Sequence, residues 1–124
     1  MGEVPQDRRY TPDHLWVDAQ GRVGITAYGA AALGDVVFVE LPAVGQAIGA
    51  GERFGTVESV KSTAELKSPV DGTVTAVNAK IHDHPELINE DPYGEGWLIT
   101  VAVSRTGALL APAEYAHQVE TASP

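Results

Sequence analysis

The fold of this chain is decided by one stretch, Thr56-Val57-Glu58-Ser59-Val60-Lys61-Ser62-Thr63-Ala64-Glu65-Leu66, in which two β-prone runs meet at a lysine. Val57 shares its strand parity with Lys61, whereas the intervening Glu58 takes the opposite parity, a pattern typical of a half-buried strand. Turn-forming residues follow at positions 68–72, Ser-Pro-Val-Asp-Gly. The stretch therefore predicts a β-hairpin that displays the Lys61 ammonium group at its tip, away from the core.

The length and charge of the chain limit its class. The 124 residues are enough for one domain, predicted to span residues 1–124. The 8 Lys and Arg against 17 Asp and Glu give a formal charge of −9, which argues against nucleic acid or an anionic membrane as a partner. Neither a run of about 20 apolar residues nor a signal peptide is visible, so we expect a soluble, cytoplasmic monomer.

The residue composition predicts a β-rich fold and excludes thiol chemistry by the protein itself. The 13 Gly and 8 Pro indicate many short elements joined by tight turns. Cysteine is absent from the chain. Any disulfide or thiol chemistry must therefore come from an attached group.

The first half of the chain predicts short strands around one helix. Residues 1–9 are interpreted as a polar lead, followed by a short strand anchored by Trp16 and a second strand at 22–26. Thr26 is suited to cap a short helix over residues 27–33, which Gly34 ends, and we expect no other regular helix before the C-terminus. The most β-prone run, residues 35–41, predicts a central strand that Pro42 stops.

The second half predicts more strands and a final helix. A short strand is expected near residues 47–48, and a strand over 72–78 needs a bulge to place Val74 and Val77 on one face. One short helical or irregular turn is expected between residues 79 and 92. The apolar run 97–103 predicts a last strand that is buried on both faces or lies along a sandwich core. Spacings of three and four predict an amphipathic helix over 108–120, packed outside the sheet.

The side chains offer little catalytic chemistry. The sequence contains no nucleophile elbow, phosphate loop, dinucleotide fingerprint or zinc-binding helix, so we predict no catalytic residue. His82-Asp83-His84 is interpreted as a solvated loop rather than a metal site, and no metal is predicted. Lys61 has two interpretations: a solvated lysine that protects a strand edge, or a lysine presented for covalent modification. The spacing alone favours the first.

Longer sequence motifs favour the second interpretation of Lys61, a lysine presented for covalent modification. Glu58-Ser59-Val60-Lys61 followed by Ser68-Pro69-Val70-Asp71-Gly72 resembles the lipoyl-attachment segment of the glycine cleavage system H proteins. The resemblance extends over nearly the whole chain: at Tyr10-Thr11 with His14 and Trp16, and in blocks at residues 24–26, 33–42, 77–78, 85–87, 89–98 and 114–115.

This resemblance implies a hybrid of barrel and sandwich, mainly β, with a short helix after the second strand and a C-terminal helix. It implies lipoate joined by an amide to Lys61, in a carrier that is a shuttle substrate rather than an enzyme. The implied partners are a pyridoxal-phosphate glycine decarboxylase, a tetrahydrofolate-dependent aminomethyltransferase, dihydrolipoamide dehydrogenase, and a lipoate ligase or lipoyl/octanoyl transferase.

The same resemblance suggests where a loaded aminomethyl group is held. Because that group is cationic and easily hydrolysed, a groove with a carboxylate is expected. Glu65 occupies the position of the family's acid after the lysine, although it also reads as a solvated acid beside Lys67. The family's acid between His14 and Trp16 is replaced by Leu15. We expect Asp13, two residues earlier on the same strand parity, to compensate.

Two other functions stay open from the sequence. Leu15 favours a related lipoyl carrier that serves another pathway, such as sulfur oxidation. An unmodified interaction domain belongs to a different class. Biotin is disfavoured, because biotin carriers flank their lysine with methionines whereas Lys61 is flanked by Val60 and Ser62.

Overall fold

Nine strands and four helices occur in residues 4–122, the part of the chain that the computed structural model describes. In chain order they are β1 (Arg8–Tyr10), β2 (Leu15–Asp18), β3 (Arg22–Ile25), α1 (Ala27–Leu33), β4 (Val36–Glu40), β5 (Ala47–Ile48), β6 (Arg53–Ser59), β7 (Thr63–Lys67), β8 (Val70–Val77), α2 (Lys80–Asp83), α3 (Leu87–Glu90), β9 (Ile99–Thr106) and α4 (Pro112–Ala122).

The strands form two antiparallel sheets. One has six strands in the order β1-β2-β3-β9-β8-β5, and the other has three in the order β4-β6-β7. Apolar side chains of both sheets belong to one buried core. The predicted mainly β fold, a hybrid of barrel and sandwich, is confirmed, and within residues 4–122 it is built from two separate sheets packed on one core.

Strand register separates the two faces of the three-stranded sheet. Val39 lies opposite Val57, which lies opposite Ala64, and this row faces the core. The neighbouring row on the same three strands, Phe38-Glu58-Thr63, is exposed. The alternation predicted around the lysine is therefore confirmed.

A second buried cluster joins α4 to the edge of the larger sheet. Tyr10 of β1 stacks on Tyr115 of α4 with ring centroids 4.7 Å apart. The Trp16 indole nitrogen donates hydrogen bonds to the carbonyl oxygens of Ile25 at 3.2 Å and Pro92 at 3.1 Å. The anchoring role of Trp16 and the position of the C-terminal helix outside the sheet are confirmed.

The predicted helix termini and bulge are also present. The Thr26 side chain accepts a hydrogen bond from the Gly29 amide at 3.0 Å, and Gly34 ends α1 with a φ of 84°. Gly34 therefore adopts a backbone conformation that favours glycine. In β8 the pairing with β9 shifts register between Val74 and Ala76, so that Val74 is buried and Val77 packs against the core.

The most β-prone run is not a central strand. β4 is an edge of the three-stranded sheet, and β6 is its centre. β propensity measures how well a residue suits a pleated, half-buried surface, so it does not report a strand's place in the sheet. A register shift between Val36 and Phe38 leaves both Val37 and Phe38 exposed.

The polar lead is shorter than predicted, because Arg8 and Arg9 belong to β1. The Arg8 guanidinium carbon lies 4.6 Å from the Trp16 ring centroid, so stacking lets a charged residue occupy this strand. Because β1 precedes the two strands that were predicted before the helix, α1 follows the third strand rather than the second.

The last strand and the preceding loop also differ from the predictions. β9 buries Ile99 and Val101 in the core but exposes Val103, so the strand lies along a sandwich core at its start and is not buried on both faces. Two single-turn helices, α2 and α3, occupy the region where one short helical or irregular turn was predicted, and His82 lies in α2. Within residues 4–122, no group of three or more metal-binding side chains is found. No helix in this described part is long and apolar enough to cross a membrane.

The pairing of Trp16 with Gly24 gives a test of the aromatic cluster. A Cβ atom on Gly24 would lie 2.5 Å from the Trp16 ring. We expect Gly24→Ala to lower the free energy of unfolding by about 1–3 kcal/mol in urea titrations, through overpacking. In a Trp16→Leu background the same substitution should cost much less. An equal cost in both backgrounds would show that the ring contact is unimportant.

Candidate functional site

Lys61 lies at the tip of the hairpin formed by β6 and β7, and it is exposed. The Ser59 amide donates to the Ser62 carbonyl oxygen at 2.8 Å, which closes the turn. The Ser59 hydroxyl oxygen accepts hydrogen bonds from the amides of Lys61 at 3.3 Å and Ser62 at 3.1 Å. The turn is therefore held by its own serines, while the lysine side chain stays accessible.

The hairpin tip is also tied to the segment after α1. The Val60 amide donates to the Asp35 carbonyl oxygen at 3.0 Å. On that segment, the Asn89 side chain accepts from the Val36 amide at 2.9 Å and donates to the Gly34 carbonyl oxygen at 2.8 Å. A hydrogen-bonded path thus runs from α3, which carries Asn89, to the backbone beside the lysine.

The lysine side chain lies close to the end of α1. A Cβ atom on Gly34 would lie 3.0 Å from Lys61 Cε. Glycine at position 34 therefore gives the Lys61 side chain room as well as ending the helix. Neither this contact nor the role of Asn89 was predicted, because each brings together residues far apart in the sequence.

A groove runs beside the open edge of β7. Apolar side chains from both sheets and from α1 line most of it, and Asp13, His14 and Glu65 add polar groups. Its cavity volume is about 190 Å³. The remaining lining residues are Leu15, Ile25, Gly29, Ala32, Leu33, Val57, Ala64 and Leu66.

The structure brings Asp13 and Glu65 to the same groove, although the reason given for Asp13 was wrong. Asp13 lies in a turn before β2 and not on the strand, so strand parity does not place it. The turn is formed where His14 adopts a φ of 70°. Leu15 is buried and contributes apolar surface to the groove.

A hydrogen-bonded chain holds His14 at the groove. The Tyr115 hydroxyl lies 2.8 Å from His14 Nδ1 and 2.7 Å from the Thr26 hydroxyl. If Thr26 donates to Tyr115 and Tyr115 donates to Nδ1, both hydroxyl protons have acceptors. This arrangement leaves a neutral imidazole whose proton is on Nε2.

The pKa values agree with this arrangement. Burial raises the pKa of Tyr115 to about 12, so the phenol keeps its proton at neutral pH. Burial lowers the pKa of His14 below its ordinary value, and the nearby Asp13 carboxylate opposes that shift. A neutral imidazole leaves the negative charges of Asp13 and Glu65 uncompensated by His14, so the groove suits a small cation attached to an apolar chain.

Comparisons with known proteins agree with the architecture of the site. The family model described as "Glycine cleavage H-protein" matches residues 8–122. A glycine cleavage system H protein of Rubrobacter xylanophilus is 54% identical over 123 residues, which cover 97% of this chain and 98% of that protein. A probable glycine cleavage system H protein of Haloarcula marismortui is 52% identical over 124 residues, covering 95% and 98% of the two chains.

A solved structure extends the similarity to three dimensions. The crystal structure of a glycine cleavage system H protein from Mycobacterium marinum matches with a TM-score of 0.91 and 45% identity, covering 94% of this chain and 99% of the other. The fold and the comparisons define the class, that of the carrier proteins of glycine cleavage. The chain belongs to the glycine cleavage H-protein family.

The position of His14 predicts a pH dependence of stability. The pKa of His14 is lower in the folded chain than in the unfolded chain, where it is about 6.5. Between these two pKa values the unfolded chain therefore binds more protons than the folded chain. The stability that His14 contributes in this way is complete above about pH 6.5 and is lost as the pH falls towards the folded pKa. We expect wild-type protein to lose more stability than His14→Asn when the pH is lowered from about 7.5 to about 5.

Asparagine is the matched replacement at position 14, because it tolerates a positive φ and its side-chain oxygen can accept from Tyr115. His117, which is exposed on α4, provides the control. His117→Asn should follow the wild-type curve in urea titrations at each pH. Parallel curves for wild type and His14→Asn would contradict a depressed His14 pKa.

Proposed function

We propose that this chain carries lipoate in amide linkage to Lys61 and shuttles the aminomethyl group of glycine within the glycine cleavage system. One observation carries the proposal: Lys61 is exposed at the tip of a turn whose backbone is closed by its own hydrogen bonds and bonded to Asp35. A rigid turn presents the ε-amine to a modifying enzyme at little conformational cost. Family membership supports the same function.

The residues present fit the proposed group. The chain has no cysteine, so a dithiol carrier must obtain its sulfur by attachment. Among residues 4–122, the salt bridges involve side chains other than Lys61, which leaves its amine available for acylation. Bound lipoate supplies a disulfide that can be reduced when it accepts the one-carbon amine and reoxidised later.

The tip and the groove have different tasks in this proposal. Lys61 provides the tether, and a tether raises the effective concentration of the carried group at a docked partner. Glu65 and Asp13 hold the cationic amine by charge, while Leu15 and its apolar neighbours exclude water from the fragile bond. Asp13, which lies in a turn, thus supplies the negative charge that is missing from the strand because Leu15 replaces the family's acid.

The neutral state of His14 supports this arrangement. An imidazolium at this place would repel a cationic amine and offset the charge of Asp13. Burial of the ring favours the neutral form by lowering the pKa of His14, and the Tyr115 hydroxyl holds the ring in place. His14 is therefore a positioning residue that preserves the negative charge of the groove.

The proposed partners are those of the resemblance: the glycine decarboxylase, the aminomethyltransferase, dihydrolipoamide dehydrogenase, and the ligase or transferase that attaches lipoate. We propose that the chain acts in the cytoplasm, as a monomer, and that it is a shuttle substrate rather than an enzyme. The named relatives described above are glycine cleavage proteins, so they give no support to a carrier for sulfur oxidation.

Reconstitution tests the pathway. Lipoylated chain mixed with the decarboxylase should exchange the carboxyl carbon of glycine with labelled CO₂, whereas unmodified chain and Lys61→Arg should stay at background. Adding the other two components should give net glycine cleavage. A lipoylated sample that remains inactive with competent partner enzymes would contradict the proposed pathway.

The groove acids give a separate prediction. We expect Asp13→Asn and Glu65→Gln each to speed the hydrolysis of the aminomethyl-loaded chain by about tenfold, because a charge-assisted contact to the amine is lost. Intact mass measured over time after removal of the decarboxylase follows this loss. Glu40→Gln is the control, because Glu40 is exposed on β4 and is not part of the groove lining.

The two groove variants should behave alike, and the double variant should be faster than either. Hydrolysis at the rate of Glu40→Gln would remove the role of the acid concerned. If Glu65→Gln speeds hydrolysis and Asp13→Asn does not, Asp13 does not replace the missing strand carboxylate.

A further inference from the structure

The outer face of the three-stranded sheet presents apolar side chains beside the lysine. Val37 is 50% exposed, Phe38 48% and Val60 68%. We call these three residues the tip patch. Exposed single apolar residues are ordinary, but a group of them on one face marks an interaction surface.

Strand pairing and one hydrogen bond of the turn bring the tip patch together. Phe38 lies opposite Glu58 in the pairing of β4 with β6, and Val60 lies in the turn directly after β6. The hydrogen bond from Val60 to Asp35 keeps this part of the turn beside the start of β4.

Acidic residues surround the tip patch. Glu58 and Glu40 point outward from the same sheet face, and exposed Asp35 directly precedes β4. Lys61 follows Val60 directly, at the edge of the patch. A complementary partner would therefore bring an apolar centre and a basic rim to the face that adjoins the lysine.

We propose that the tip patch, with Glu58 at its rim, is the docking surface for the enzyme that acylates Lys61. This inference rests on the proposed function. The acylating enzyme must bring its reacting groups to the ε-amine of the unmodified side chain, which lies against Gly34. Partners that act on the end of an attached arm work farther from the turn. The acylating enzyme is therefore the partner that must contact the surface flanking the lysine.

The test measures attachment of lipoate to the full chain by a purified lipoate ligase with lipoate and ATP. Intact mass gives the rate, from which kcat/KM is obtained at several concentrations of the chain. We expect kcat/KM to fall about tenfold for Phe38→Ser and about threefold for Val60→Ser, because buried apolar contact is lost. Glu58→Gln should weaken the salt dependence of the rate.

Matched controls come from exposed valines elsewhere. Val103→Ser changes a strand residue that is 42% exposed on β9, and Val44→Ser changes a loop residue that is 62% exposed. Both should keep the wild-type rate. The unfolding midpoint of every variant in urea separates lost docking from lost folding, since docking variants should slow acylation while remaining folded at the assay temperature.

The outcomes separate this inference from the proposed function. If wild-type chain gains no mass with a ligase that is active on another acceptor, the proposed function fails and the inference fails with it. If wild type gains the mass and the tip-patch variants match the controls, only the docking surface is overturned. If the tip-patch variants are acylated at the wild-type rate but are impaired in the exchange reaction with the decarboxylase, the inference is also overturned, because the surface would then serve a different partner.

Discussion

The hydrogen bond from the Val60 amide to the Asp35 carbonyl oxygen is the constraint on which the display of Lys61 depends. Beyond the last strand pair, Val36 with Ser59, the hairpin tip is otherwise held only by its own turn. Here the bond joins the tip to the segment that leaves α1, and Asn89 fixes that segment through hydrogen bonds to Val36 and Gly34. The lysine is exposed, but the backbone that carries it belongs to the folded body.

The position of α1 in turn depends on the aromatic cluster. Thr26 caps the helix and also bonds to Tyr115, while the Tyr93 hydroxyl accepts from the Ala27 amide at 3.0 Å. Trp16 holds the adjoining backbone through two carbonyl groups. The same contacts that stabilise the C-terminal helix therefore place one wall of the groove and the helix end beside Lys61.

Local patterns predicted the hairpin, the cap at Thr26 and the strand bulge, because each depends on neighbouring residues and their periodicity. Strand order could not be predicted in this way, so the β-prone run containing Phe38 was placed at the centre of a sheet rather than at its edge. The groove shows the same limit. The resemblance indicated Glu65 and Asp13 as candidates, but only tertiary packing brings the turn at Asp13 beside β7, and no local pattern indicates Asn89.

The central claim is that one lysine of this chain carries the cofactor, and peptide mapping by mass spectrometry after incubation with lipoate and a competent ligase tests it most directly. The account predicts a single lipoyl addition on Lys61 and none on Lys67 or Lys80 of the same sample. Lys61→Arg should gain no mass. An addition that persists in Lys61→Arg, or that maps to another lysine, would contradict the account.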